Sequence, residues 1–195
     1  MRGLFLVIAR LCFPLAIYWW SCWSRVHRRL LEDRRQRAEV PTGAHSPEKA
    51  QLDMLCVKWK PDTWRQLWDV CGSAARFAYI LKLAKNGEQP DLNCDCDDFA
   101  AYAVDVLAPA YKARVLTVSW QRARSWKFGG HAVCLYVDDA GDLRHIGNWG
   151  RSRAYHPQDM GQLVAEMTHR AGGDRVVGWA LYDKDLHVKA VHRGS

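Results

Sequence analysis

Residues 96–120 read CDDFAAYAVDVLAPAYKARVLTVSW, and the fold turns on a change of period inside them. In the first half, Phe99, Ala100, Ala103, Val106 and Leu107 recur at three- and four-residue steps. That spacing puts one apolar stripe on a helix over 96–108, and Pro109 stops it. In the second half, residues 114–120 are rich in β-branched side chains and roughly alternate, which predicts a strand.

Downstream the period stays near two. Residues 131–138 (HAVCLYVD) predict a second strand, 139–142 (DAGD) a turn, and 143–148 the strand that returns. A helix is expected over 157–169, a strand over 175–182 and a short last strand over 188–191. Upstream, Trp64, Leu67, Trp68, Cys71, Ala75, Ala78 and Leu81 step helically, predicting a helix over 62–84 closed by Asn86-Gly87. Helices come first and antiparallel strands follow, so the fold class is α+β.

Charge divides the chain. Residues 1–37 hold eight Arg against Glu32 and Asp33, which accounts for +6 of the total +7. The remainder is close to neutral, which argues against a specific nucleic-acid surface. Seven cysteines in 195 residues are too few and too unevenly placed for a disulfide scaffold. An odd count leaves at least one free thiol.

The Arg-rich arm opens with an apolar segment, residues 3–23 (GLFLVIARLCFPLAIYWWSCW). About 20 such residues suffice to span a bilayer. Arg10 is costly in that setting, about 3 kcal/mol at a helix centre. Tyr18, Trp19, Trp20 and Trp23 gather at one end like an interfacial belt. We expect a single membrane anchor with the body cytoplasmic, since most positive charge follows the segment. Two other readings stand beside it. One is an export signal, although no Ala-x-Ala cleavage pattern follows. The other is a buried or interfacial helix. Residues 24–50 read as a basic, partly helical linker, and 51–195 as the functional domain.

Three placements suggest chemistry. Cys96 opens a predicted helix, where the positive end of the dipole favours a thiolate and the Cys96 N–H can serve an oxyanion. His131 opens a strand after Gly129-Gly130, in position to act as the base of a thiol nucleophile. Asn148 ends the hairpin partner strand, where it could orient the imidazole, with Trp149 shielding that bond. Taken singly, each has a plainer reading. Cys96 could be a small buried hydrophobe, His131 a structural histidine and Asn148 a turn residue. Cys94, Cys96 and His131 could together hold a metal. Cys134 is expected in the core, and His145 and His156 at the surface.

The run Asp95-Cys96-Asp97-Asp98-Phe99-Ala100 resembles the nucleophile motif of the bacterial transglutaminase-like cysteine proteinases. Gly130-His131-Ala132-Val133 is similar to their histidine motif. Where that family usually has an Asp-Asn pair, this chain has Gly147-Asn148, so the third role falls to Asn148. The resemblance covers roughly residues 60–150. It implies a papain-like fold, thiol chemistry on amide bonds of a protein or peptide, and no cofactor. By the papain-like pattern, Gln89 could be a second oxyanion donor beside the Cys96 N–H, and its plainer reading is a solvated loop residue upstream of Cys96. Endopeptidases of the NlpC type also present Asp-Cys and Gly-His, but their Cys is followed by Ser-Gly. The expected activity is hydrolysis of peptide or isopeptide bonds, on a cell-wall peptide if the body is exported. Acyl transfer to an amine is the related alternative, and a catalytically silent binding or structural module is the non-enzymatic one.

Overall fold

A computed structural model of the chain describes residues 2–30, 38–41, 45–60, 73–88, 94–125 and 127–194. The helices among them are α1 (Arg2–Leu30), α2 (Pro47–Leu55), α3 (Ala74–Lys85), α4 (Cys96–Leu107) and α5 (Met160–Arg170). The strands are β1 (Arg114–Arg122), β2 (Phe128–Val137), β3 (Leu143–Gly147), β4 (Gly150–Arg151), β5 (Gly173–Tyr182) and β6 (Val188–Arg193). They form one sheet in the order β4-β3-β2-β1-β5-β6. Every pairing is antiparallel. The α+β layout read from the period change is therefore present.

The sheet is covered on both faces. Ala132, Cys134 and Tyr136 of β2 join Val115 and Tyr182 in a core with α3 and α4. Val133 and Leu135 point the other way, into a second core with Leu116, Val118, Trp120 and the α5 residues Leu163, Val164 and Met167. Full burial of each large apolar side chain contributes roughly 1.5–3 kcal/mol. α4 is buried from Asp97 to Val104 without a break, because α2 and α3 cover the side that the sheet does not.

Local rules explain the helix ends. Ser73 accepts from the Arg76 N–H at 3.2 Å and starts α3. Gly87 follows α3 with φ 80°, which glycine adopts without strain. The first part of the helix expected over 62–84 lies outside the described residues, as does Gln89. One helix was not foreseen. α2 straddles the boundary expected at residue 50, capped by Ser46, which accepts from the Lys49 N–H at 3.2 Å, with Pro47 in the first turn. Its buried Asp53 links three elements. Lys85 Nζ lies 2.5 Å from Asp53 Oδ1, and Tyr102 Oη donates to Oδ2 at 3.1 Å. His45 Nε2 lies 3.6 Å from the same Oδ2.

α1 is both apolar and docked. Residues Gly3–Val26 are long and apolar enough to cross a membrane, with mean hydropathy 1.7. One face packs on β5 and β6 through Leu6, Phe13 and Ile17.

Candidate functional site

Cys96 is the first residue of α4, and a reciprocal cap fixes that helix start. The Asp97 N–H donates to Asp95 Oδ1 at 3.3 Å, and the Asp95 N–H donates to Asp98 Oδ2 at 3.2 Å. The cap explains why Asp95 and Asp98 stand beside a thiol whose thiolate they would oppose: their carboxylates satisfy the helix terminus. Cys96 is half-buried, whereas Cys94 and Cys134 are fully buried. Burial raises the Cys134 thiol far above its ordinary range, as suits the core residue expected there.

A cavity of about 580 Å³ opens beside Cys96 and is also lined by His131 and Asn148. Its walls are mostly aromatic and apolar, with Asp95, Asp97 and Arg122 among the polar residues. Trp59, Trp120 and Tyr182 contribute, and α1 supplies Phe13, Ala16, Ile17 and Trp20. The contribution of α1 was not legible in the sequence, since nothing in residues 3–23 encodes which surface they meet.

The structure gathers Cys96, His131 and Asn148 around one cavity without joining them. β2 is regular through His131, which pairs with Val118. Strand alternation then sends the His131 side chain to the face of Val133 and Leu135, away from α4. There the imidazole lies flat on the Trp149 indole, with centroids 3.6 Å apart and planes 12° apart. Among the described residues, His131 makes no hydrogen bond to Cys96 or Asn148, so the dyad drawn from the sequence is not formed. Its Nε2 is buried without a hydrogen-bond partner, and so is Asn148 Oδ1. Each such group costs about 1–3 kcal/mol if nothing bonds it. Asn148 does not end a strand as expected. β3 stops at Gly147, and Asn148-Trp149 form the turn into Gly150, whose φ is 93°.

The Arg170 cation lies near His131. Arg170 Nη2 donates to the Trp149 carbonyl at 2.6 Å and its guanidinium sits 5.9 Å from the indole centroid. His145 is buried rather than at the surface, because alternation along β3 turns it toward this same side. Burial first, then His145 and Arg170, pushes the His131 pKa down to about 3. Burial, then Arg170, holds His145 down at about 4. His156 is exposed, as expected.

The two glycines before His131 differ in role. A Cβ at Gly129 would lie 2.7 Å from Trp120 Nε1, so this glycine admits the indole. At Gly130 nothing comes closer than 3.6 Å. On its β3 side, β2 is paired only from Cys134 onward. Among the described residues no strand pairs with that edge at His131, next to Asn148 and Trp149. For metals, the ligand atoms of Asp95, Cys96 and Asp97 lie within 4.8 Å of one another. Among the described residues, Cys94, Cys96 and His131 form no such group. Compared with known proteins, the chain matches no family model and no curated sequence.

Proposed function

We propose that the chain is a thiol-dependent hydrolase of amide bonds in a protein or peptide, with Cys96 as nucleophile. What supports this reading is one observation: a half-buried thiol at a helix start opens into a cavity lined also by His131 and Asn148, and each of those two residues carries a buried side-chain atom without a hydrogen-bond partner. A buried polar group without a partner calls for an explanation, and a catalytic role is one. In this reading His131 swings around the unpaired edge of β2 to meet Cys96. The Cys96 sulfur bonds to the carbonyl carbon while His131 takes the thiol proton. The C–N bond breaks, and the proton leaves with the amine. Water then attacks the thioester, passing one proton to His131, and the restored thiol regains it. The Cys96 N–H serves the oxyanion, and Asn148 Oδ1 accepts the second imidazole N–H. An amine in place of water gives acyl transfer. The motifs at Asp95–Ala100 and Gly130–Val133 support reading the chain as a transglutaminase-like cysteine proteinase, working on a cell-wall peptide if the body is exported.

A second reading has its own observation. The His131–Trp149 stack and the depressed His131 pKa suit a silent binding module that has kept the fold. Alkylation of the intact chain with iodoacetamide near pH 7, mapped by mass, separates the two. The enzyme reading expects Cys96 to react at least tenfold faster than exposed Cys12, Cys22 and Cys56. It also expects hydrolysis of fluorogenic peptide amides that Cys96→Ala and His131→Ala each abolish. A Cys96 no faster than Cys22, with no amide cleavage, leaves the silent module.

A further inference from the structure

We propose that α1 binds an anionic lipid bilayer while lying in its plane, still docked on β5 and β6, so that the protein rests on the membrane by one helix face.

The helix has two faces that do different things. Its inner face is fitted to the body. Arg10 donates from Nε at 3.1 Å and Nη2 at 2.8 Å to the Val176 carbonyl. Ser21 Oγ donates to the Leu186 carbonyl at 2.6 Å, and Trp20 meets Tyr182 edge-on at 5.1 Å. Phe13 fills the space that Gly178 leaves by having no Cβ. The charge that argues against burial in lipid is thus bonded to the protein, in register with the rest of the contact.

The outer face is apolar and uncovered. Leu4, Leu11, Leu15, Tyr18 and Trp19 are between 55% and 75% exposed and recur at helical spacing. From Leu4 to Trp19 that stripe extends roughly 24 Å at 1.5 Å per residue, along the first part of α1. A transmembrane orientation would strip Arg10 of Val176, open the groove at Gly178 and remove one wall of the Cys96 cavity. An in-plane orientation keeps all three and still buries the stripe. Charge selects the occupant. The first 37 residues carry a net +6, which attracts anionic headgroups and repels a second copy of the same arm.

The test uses the full chain with an N-terminal epitope and preformed vesicles, either phosphatidylcholine alone or with roughly one-third phosphatidylglycerol. We expect flotation with the anionic vesicles and at least tenfold less without the anionic lipid. The epitope should be removed by protease added outside. Leu15→Glu with Trp19→Glu lies on exposed positions, keeps the circular dichroism spectrum, and should lower the bound fraction at least tenfold. Protection of the epitope would mean a spanning helix and overturn the proposal. So would flotation unaffected by the double substitution. Failure to float, with or without a dimer that the same substitutions dissolve, overturns it as well.

Discussion

His131 lies face to face with Trp149, ring centroids 3.6 Å apart, on the side of the sheet opposite α4. The stack holds the imidazole away from Cys96 and in a buried setting that disfavours its charge. Trp149→Ala should release it. The His131 pKa then rises from about 3 toward the ordinary value near 6.5. Titration of its ring protons by NMR measures this. Loss of a half-buried indole should lower stability by about 2 kcal/mol. If the released imidazole reaches Cys96, alkylation of that thiol speeds up in Trp149→Ala and not in Trp149→Ala with His131→Ala.

The two buried histidines make the fold acid-sensitive. Their folded pKa values, about 3 for His131 and about 4 for His145, lie below the unfolded value near 6.5. Above that value both states hold them neutral, and the contribution to stability is constant. As the pH falls below it, the unfolded chain takes up protons that the folded chain refuses, so stability declines. The slope is about 1.4 kcal/mol per pH unit for each histidine. It ends near pH 4 for His145 and near pH 3 for His131. Urea midpoints measured from pH 7 to pH 4.5 should fall steadily. His145→Gln should flatten the slope by about half, relative to its own stability at pH 7. An unchanged slope would show that other groups set the acid limit.

Asp53 is the polar joint of α2, α3 and α4, with Lys85 at 2.5 Å and the Tyr102 hydroxyl at 3.1 Å. Burial, and then the charge of Asp53, raises the Tyr102 phenol well above its ordinary range. Asp53→Ala leaves that hydroxyl buried with nothing to accept its proton. We expect a loss of about 3 kcal/mol from urea unfolding. Asp53→Asn keeps an acceptor for Tyr102 and should lose less. Equal losses would assign the effect to the ion pair with Lys85.

Much of the fold was legible in residues 96–182, because the period changes from helical to alternating at Pro109 and turn residues mark the hairpin. What stayed hidden was direction. His131 through Tyr136 are all buried, since the sheet is covered on both faces, so β2 has no polar side to reveal where its histidine points. The Gly-His motif therefore announced a histidine beside the cavity but not its face. α2 was hidden for a different reason. Glu48 and Lys49 made its first turn read as linker, and the boundary expected at residue 50 cut it in two, although Ser46-Pro47-Glu48 is a good helix start. His145 was read as a surface residue, but the pleat turns it inward while Arg144 beside it stays more accessible.

Gly178 determines whether α1 can dock. A Cβ there would lie 2.5 Å from two ring carbons of Phe13 and 2.6 Å from the His192 carbonyl oxygen. Neither neighbour is a loose chain end. The His192 carbonyl belongs to β6, and Phe13 is buried at 5% exposure. Gly178→Ala must push α1 outward or spread β5 from β6, at about 1–3 kcal/mol. Limited proteolysis should then cut within α1 faster than in the unaltered chain, with the sheet and α4 intact. Shortening the ring in the same chain, Phe13→Ala with Gly178→Ala, removes the clash with α1 and leaves the one with the His192 carbonyl. If the clash with Phe13 dominates, the pair is no less resistant to cleavage than Phe13→Ala alone. If it is the β5–β6 pairing that fails, the pair is cut as fast as Gly178→Ala, and cleavage spreads from α1 into β6.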